Sequence, residues 1–159
     1  MAIWFHSTVN VDQIKEFGIG TMVEHLGIEF TEIGENYVRA SMPVDRRTVQ
    51  TYGILHGGAS LVLAETLGSI GSALVIDRDK YYCVGLEINA NHIRSVSGGS
   101  VIGTAIPIHL GNLTHVWDIK IMNEEAKLVC ICRLTVAIIR KDAGKSFPGV
   151  AGSGKYVKD

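Results

Sequence analysis

The residues best suited to chemistry lie in the stretch 50–69, where glycines lead into the only long helical pattern of the chain. Glu65 is a carboxylate among small and apolar neighbours, and Ser69 follows one turn later on the same helical face. Burial of a carboxylate disfavours its charged form, which makes an acid useful near neutral pH. We therefore predict a catalytic role for Glu65, the alternative being a structural glutamate that caps the helix or forms a surface salt bridge.

The predicted start of this helix offers a second chemical feature. Gly57 and Gly58 leave free backbone amides at the positive end of the helix dipole, where an oxyanion can be held. His56 precedes them and is either a hydrogen-bond donor or a cap of the helix. From His56 to Glu65 the helix turns by about 900° and rises by roughly 13 Å, which puts the two residues on nearly opposite faces. A single site that uses both therefore requires two subunits, as a two-fold dimer allows.

The helix that carries these residues is predicted to be packed on nearly all sides. It is poor in charge, and small residues line the faces beside its apolar stripe, which indicates cover by a sheet and by a partner subunit. Its glycines lower helix propensity and suggest close approach of other backbone. The apolar stripe consists of Leu63, Leu67, Ile70 and Leu74.

Two capping boxes predict two short helices near the start of the chain, each closed by a glycine in the left-handed conformation. Strands follow at 28–30 and 37–42, and an irregular loop, 44–55, leads into the long helix. The first box pairs Asn10 with Gln13 ahead of Gly18, and the second pairs Thr21 with Glu24 ahead of Gly27.

After the long helix the pattern predicts four strands with short connections, at 81–94, 101–108, 114–122 and 127–139. Such connections suit antiparallel neighbours, and helices do not recur between the strands. The sequence therefore predicts an α+β fold with a meander and not a doubly wound parallel sheet. We expect one domain over 1–141, followed by a mobile tail rich in glycine and lysine over 142–159.

Composition narrows the function further. A hydrophobic fraction of 47% with 19% charged residues suggests that another subunit covers apolar surface. The net charge of -1 argues against a nucleic-acid binder. Because we see neither a secretory signal pattern nor an apolar run of membrane-spanning length, we expect a cytoplasmic protein. Of three cysteines, Cys130 and Cys132 lie two apart in a strand, and we interpret them as reduced thiols because one Cys-x-Cys supplies too few metal ligands.

Four segments in order, 53–60, 63–69, 84–95 and 107–111, resemble the hotdog-fold thioesterases. The resemblance runs from about residue 14 to residue 139, and it is strongest to the acyl-CoA and aryl-CoA branch that includes phenylacetate-pathway and 1,4-dihydroxy-2-naphthoyl-CoA thioesterases. It implies a sheet wrapped around a long central helix. It also implies dimers, commonly paired into tetramers, with active sites at the subunit interfaces.

The resemblance also implies roles for individual residues. Glu65 would be the general base or nucleophile toward the thioester carbonyl, and the Gly57 amide would hold the carbonyl oxygen. Gln50 and His56 would orient and polarise the thioester, and Ser69 would position the glutamate or water. No cofactor or metal is expected. The coenzyme-A-binding positions would be Gly85, His92, Arg94, Ser95, His109, Leu110, Gly111 and Asn112.

Thioester hydrolysis is thus the leading hypothesis, and other functions remain open at this point. A non-catalytic module that binds acyl-CoA or acyl-carrier protein would use the same pocket. A hotdog-type hydratase or dehydratase would need a histidine and an acid that act together. His56 and Glu65 lie on nearly opposite faces of the helix, which argues against this function unless a partner chain supplies one of them. A metal enzyme based on His56, His92 or His109 lacks regular ligand spacing.

Overall fold

In the computed structural model, which describes residues 2–6 and 9–141, a long helix packs against one face of a six-stranded antiparallel sheet. The α+β prediction is confirmed. Two short helices, α1 (Val11–Lys15) and α2 (Met22–His25), precede the sheet. The long helix is α3 (Gly57–Val75). The strands are β1 (Glu29–Ile33), β2 (Val38–Pro43), β3 (Tyr81–His92), β4 (Ser100–Leu110), β5 (Thr114–Asn123) and β6 (Leu128–Arg140).

The strands lie in the order β1-β2-β4-β5-β6-β3, so β4, β5 and β6 form the predicted meander. β3 does not pair with β4, its neighbour in the chain, but with β6, and it forms one edge of the sheet. The sequence predicted a meander for the whole second half of the chain, and for β3 that prediction is wrong. The chain instead crosses to the far side of the meander, which leaves the 12 residues of β3 with one unpaired edge.

Side chains of the sheet fill the grooves left by the small residues of α3. A Cβ on Gly68 would come within 2.6 Å of Leu134, and one on Gly71 within 2.7 Å of Trp117. The close approach predicted from these glycines is therefore made by side chains and not by other backbone. Buried Trp117 also donates from Nε1 to Ser72 Oγ over 2.8 Å. In the predicted stripe, Leu63, Leu67 and Leu74 are buried and Ile70 is partly buried.

The apolar character of α3 corrects one expectation. By length and composition this helix could cross a membrane, although the sequence had been interpreted as lacking such a run. Within the chain it packs against β2, β3, β4, β5 and β6. A helix at the centre of a core needs the same apolar composition, because it is covered on several faces.

The N-terminal helices match the capping patterns in part. Asn10 and Gln13 form the predicted reciprocal capping box. Thr21 accepts from the Val23 amide, but the Glu24 carboxylate bonds Gly20 and not Thr21, so the second box is incomplete. Gly27 has the predicted left-handed conformation, with a φ of 69°. Gly18 does not; it ends a 3₁₀ turn, Glu16–Gly18, and Gly20 takes the positive φ instead.

The alternating pattern of β5 is confirmed, because His115, Trp117, Ile119 and Ile121 are all buried while the intervening residues are more exposed. The three cysteines are free thiols, as predicted. The tail predicted over 142–159 lies outside the described residues, and its mobility stays a prediction, as does the single-domain boundary.

Candidate active site

The α3 helix begins with a histidine cap. His56 is the N-cap residue, and its Nδ1 accepts a hydrogen bond from the Gly58 amide over 2.8 Å. A neutral imidazole that accepts at Nδ1 carries its proton on Nε2. The two roles left open by the sequence are therefore compatible: His56 caps the helix through one nitrogen and presents a donor through the other.

The next residue, Gly57, provides the free amide predicted for an oxyanion. Among the described hydrogen bonds its N–H has no acceptor, as is usual in the first turn of a helix. The His92 ring lies directly against it, since a Cβ on Gly57 would come within 2.7 Å of His92 Nε2. Glycine thus allows a side chain of β3 to reach the helix start, and it brings two predicted site residues together.

Glu65 lies over Gly85 of the same edge strand. A Cβ on Gly85 would come within 2.8 Å of Glu65 Oε1, so the missing side chain makes room for the carboxylate. Glu65 is exposed in the single chain, and the prediction of a buried acid is wrong for the chain on its own. The reason is its position: it lies at the rim of the sheet, where β3 is the last strand and no other residue of the described ranges 2–6 and 9–141 covers the carboxylate.

Gln50 lies in the loop before the helix start, and its orientation is set by its own turn. Its Oε1 accepts from the Tyr52 amide over 2.6 Å, while its backbone N–H bonds Ile54 O and its carbonyl accepts from Gly53 N–H. The loop is joined to the helix start, because the His56 N–H donates to Thr48 O. With Oε1 occupied, the Gln50 NH₂ group remains available as a donor.

Ser69 follows Glu65 on α3 and is partly buried. Within the described part of the chain, no hydrogen bond joins its hydroxyl to Glu65; the contact recorded for Ser69 is from the Cys83 thiol to its carbonyl, at 3.7 Å. Burial raises the pKa of that thiol, so Cys83 remains protonated. The predicted role of Ser69 in orienting the glutamate stays a prediction.

Apart from Gly85, which pairs with Val136 of β6, the predicted coenzyme-A-binding residues form two groups at opposite ends of the sheet. His92 pairs with Cys130 of β6, whereas Thr114, which follows the second group, pairs with Ala137. Cys130 and Ala137 are seven residues apart along β6, a distance of roughly 23 Å. The first group, with Arg94 and Ser95 exposed, lies near the helix start, since Leu55 N–H donates to Val96 O. The second group comprises His109, Leu110, Gly111 and Asn112.

Gly111 of the second group lies directly against the His109 side chain. A Cβ at this position would come within 2.5 Å of His109 Nε2, so the imidazole folds over the β4–β5 turn. His115 is buried beside this turn. Its pKa is lowered mainly by burial and to a smaller extent by the nearby His109, and a hydrogen bond with the Gly111 backbone partly opposes this shift. Among the residues that the structure describes, His115 Nδ1 has no hydrogen-bond partner although it is buried.

Two thiols lie behind His92, and sequence reasoning did not connect them to the site. Cys130 Sγ is 3.4 Å from His92 Nδ1 and 3.6 Å from Cys132 Sγ. The hydrogen bond between the thiols lowers the pKa of Cys130 and raises that of Cys132. Within residues 2–6 and 9–141, no group of three or more His, Cys, Asp or Glu side chains is arranged to hold a metal ion.

Comparison with known proteins identifies the family. Residues 52–130 match the thioesterase superfamily. The chain is 47% identical over 131 residues to 1,4-dihydroxy-2-naphthoyl-CoA hydrolase of Escherichia coli, covering 82% of this chain and 96% of the relative. It is 46% identical over 131 residues to proofreading thioesterase EntH of Cronobacter turicensis, covering 82% and 95%.

A solved structure also supports membership of the thioesterase superfamily. The fold superimposes on a mutant thioesterase from Pseudomonas aeruginosa with a TM-score of 0.86 and 46% identity, covering 88% of this chain and all of that one. The resemblance found in the sequence is therefore confirmed. The chain belongs to the thioesterase superfamily, with the hotdog fold, and is a thioester hydrolase.

Proposed function

We propose that the protein hydrolyses an acyl- or aroyl-CoA thioester at a site shared by two protomers. One protomer supplies Glu65, and the other supplies the Gly57 amide. The observation that carries this proposal is that both residues lie against the same edge strand, Glu65 over Gly85 and Gly57 beside His92. Gly85 pairs with Val136 of β6 and His92 with Cys130, six residues or roughly 20 Å apart along that strand. Glu65 and the Gly57 amide of the same chain are therefore too far apart to act on one thioester.

Pairing of two β3 edges would bring these halves together. Gly85 pairs with Val136 of β6 and His92 with Cys130, and the row midway between them is that of Asn89. If two β3 strands pair antiparallel about a two-fold axis at Asn89, Gly85 of each chain lies opposite His92 of the other. Glu65 then meets the Gly57 amide of the partner. The bulge between Gly85 and Glu87 keeps Gly85 and His92 on the same face of the strand.

The same pairing supports a coenzyme A site. It would carry the 92–95 segment of one protomer to the end of the sheet where residues 109–112 of the other lie. Arg94 offers a guanidinium to phosphates, and Gly111 allows close passage of the pantetheine arm. Because the sequence resemblance implies pairs of dimers, we propose at least a homodimer and expect a homotetramer, to which exposed Ile106, Ile108 and Leu113 offer apolar surface.

The reaction needs no cofactor. The thioester carbonyl oxygen would accept from the Gly57 N–H, aided by the positive end of the helix dipole. His56 Nε2–H and the Gln50 NH₂ are further donors that can orient and polarise the thioester. Glu65 would take a proton from water, and the water oxygen would add to the carbonyl carbon. Collapse of the tetrahedral intermediate breaks the C–S bond, coenzyme A leaves as a thiolate that takes up the proton, and the free acid remains.

Direct attack by the Glu65 carboxylate is the second form of this mechanism, and we favour the general-base form. An aroyl substrate is suggested by the name of the Escherichia coli relative, a 1,4-dihydroxy-2-naphthoyl-CoA hydrolase. We place the reaction in the cytoplasm, in keeping with three free thiols.

The test is a panel of short-chain, medium-chain and aromatic CoA thioesters, with released coenzyme A trapped by a thiol reagent. We expect turnover of at least one member and a loss of about 10³-fold or more in kcat in Glu65→Gln, because that variant lacks the base. Glu125→Gln, on the exposed β5–β6 turn, is the matched control and should keep wild-type rates. Tight binding without thiol release, or full activity of Glu65→Gln, would refute the proposal.

A further inference from the structure

The His92 imidazole has a buried thiol behind it and the helix start in front of it. Cys130 is fully buried on β6, directly across from His92, and its Sγ lies 3.4 Å from His92 Nδ1. On the other side of the ring, Nε2 lies 2.7 Å from the position of a Cβ on Gly57. The ring therefore has one nitrogen turned to the core and the other turned to Gly57, the first residue of α3.

The hydrogen-bond acceptors around Cys130 decide where its proton goes. The alternative acceptor, the Ile131 carbonyl, is farther away at 3.9 Å. Cys132, almost fully buried beside it, can donate its own thiol proton to Cys130 Sγ over 3.6 Å. A consistent arrangement is a chain of donors from Cys132 through Cys130 to His92 Nδ1. An imidazole that accepts at Nδ1 carries its proton on Nε2.

We propose that Cys130 is a positioning residue that holds His92 in the Nε2–H tautomer and aims this donor at the substrate beside the Gly57 amide. The inference rests on the proposed function for the identity of the ligand, a CoA thioester, but not for the state of the ring. Without the thiol, the ring would be free to exchange tautomers and to rotate. In the other tautomer Nε2 is an acceptor, and the ring would then no longer donate to the substrate beside the Gly57 amide.

The readout that a purely structural role would not change is the tautomer itself. Nitrogen NMR of the full-length protein labelled at histidine separates a protonated from an unprotonated ring nitrogen, and His92→Gln assigns the resonances. For the wild type we expect an unprotonated Nδ1 and a protonated Nε2. Cys130→Ala should show exchange between tautomers, and Cys130→Ser, which keeps a short donor, should restore the wild-type pattern. Val129→Ala, a buried truncation on the same strand, should leave the pattern unchanged.

Kinetics complete the test. Cys130→Ala should raise KM for the best thioester of the panel by about threefold to tenfold with a smaller change in kcat, the effect of one substrate hydrogen bond, and Cys130→Ser should recover most of it. A protonated Nδ1 in the wild type, or a Cys130→Ala variant that matches Val129→Ala in both NMR and KM, would overturn the proposal. If the expected tautomer is found but no thioester is hydrolysed, the proposed function fails while the role of Cys130 in fixing the ring stands.

Discussion

A single methyl group at Gly85 should disable the enzyme without weakening its fold. Gly85 lies beneath Glu65, and a Cβ there would be 2.8 Å from Glu65 Oε1. An ordinary van der Waals contact begins near 3.4 Å, so the carboxylate must retreat by about 0.6 Å. Because misplacement of a reacting group by about 1 Å can cost 10²-fold in rate, we expect Gly85→Ala to lower kcat by roughly 10–100-fold.

Gly85→Ala should not lower the stability of the fold. Gly85 does not have a positive φ, so alanine can adopt its backbone conformation. A glycine inside a strand costs about 0.5–1 kcal/mol relative to alanine, and the displaced atom is the end of a flexible, exposed side chain. The free energy of unfolding should therefore be unchanged or rise by up to about 1 kcal/mol.

The assay is steady-state hydrolysis of a thioester together with denaturant unfolding and light scattering. Gly98→Ala is the matched control, because a Cβ there meets no atom of the described part of the chain within 4 Å and the residue has no positive φ. It should retain wild-type kcat. If Gly85→Ala forms the same oligomer and keeps full activity, the position of Glu65 over Gly85 is not important for catalysis. A loss of folding would contradict the packing described for β3.

Three further predictions test the fold and the assembly. Trp117→Phe should lower the free energy of unfolding by about 1–3 kcal/mol, because it leaves the buried Ser72 hydroxyl without its partner. Adding Ser72→Ala should recover part of that loss. If the two substitutions have additive effects on the free energy of unfolding in urea, this coupling is contradicted. His115 has a lowered pKa in the fold, so the unfolded chain binds its proton first and stability should fall as the pH drops below about 6.5, by up to about 1.4 kcal/mol per unit. His115→Gln should reduce that slope, and an equal slope in both proteins would refute the assignment. Asn89→Cys, on the proposed two-fold axis, should give a covalent dimer on oxidation that non-reducing electrophoresis detects; a chain that stays monomeric after oxidation would contradict the β3 pairing.

The sequence was sufficient for much of the fold because its periodicities are strong. The buried stripe of α3 and the alternation of β5 follow from residue spacing alone, and both match the structure. The position of β3 did not follow, because loop length describes local connections whereas the pairing of β3 with β6 is set by packing between residues about 40 to 60 apart in the chain.

The site was predicted in parts. Residue type and helix geometry were enough to propose Glu65 and Gly57 as site residues, and their roles stay predictions. The exposure of Glu65 did not follow from the sequence, because it depends on which strand ends the sheet. The contact between Cys130 and His92 depends on cross-strand register, which one sequence does not reveal. The signal that was present is the odd placement of Gly85 within a strand, since a glycine there often marks close approach of another group.

The central claim is that Glu65 and the Gly57 amide act together only across two protomers, and subunit complementation tests it most directly. Glu65→Gln lacks the base, and Gly57→Pro lacks the N–H donor at the first position of a helix, where proline is tolerated. The two variants, each expected to be inactive alone, are mixed in equal amounts under conditions that exchange subunits. In a mixed dimer one site has both wild-type groups, so random pairing should restore about a quarter of wild-type kcat. An activity no higher than that of either variant alone, with subunit exchange confirmed by mass spectrometry, would contradict the shared site.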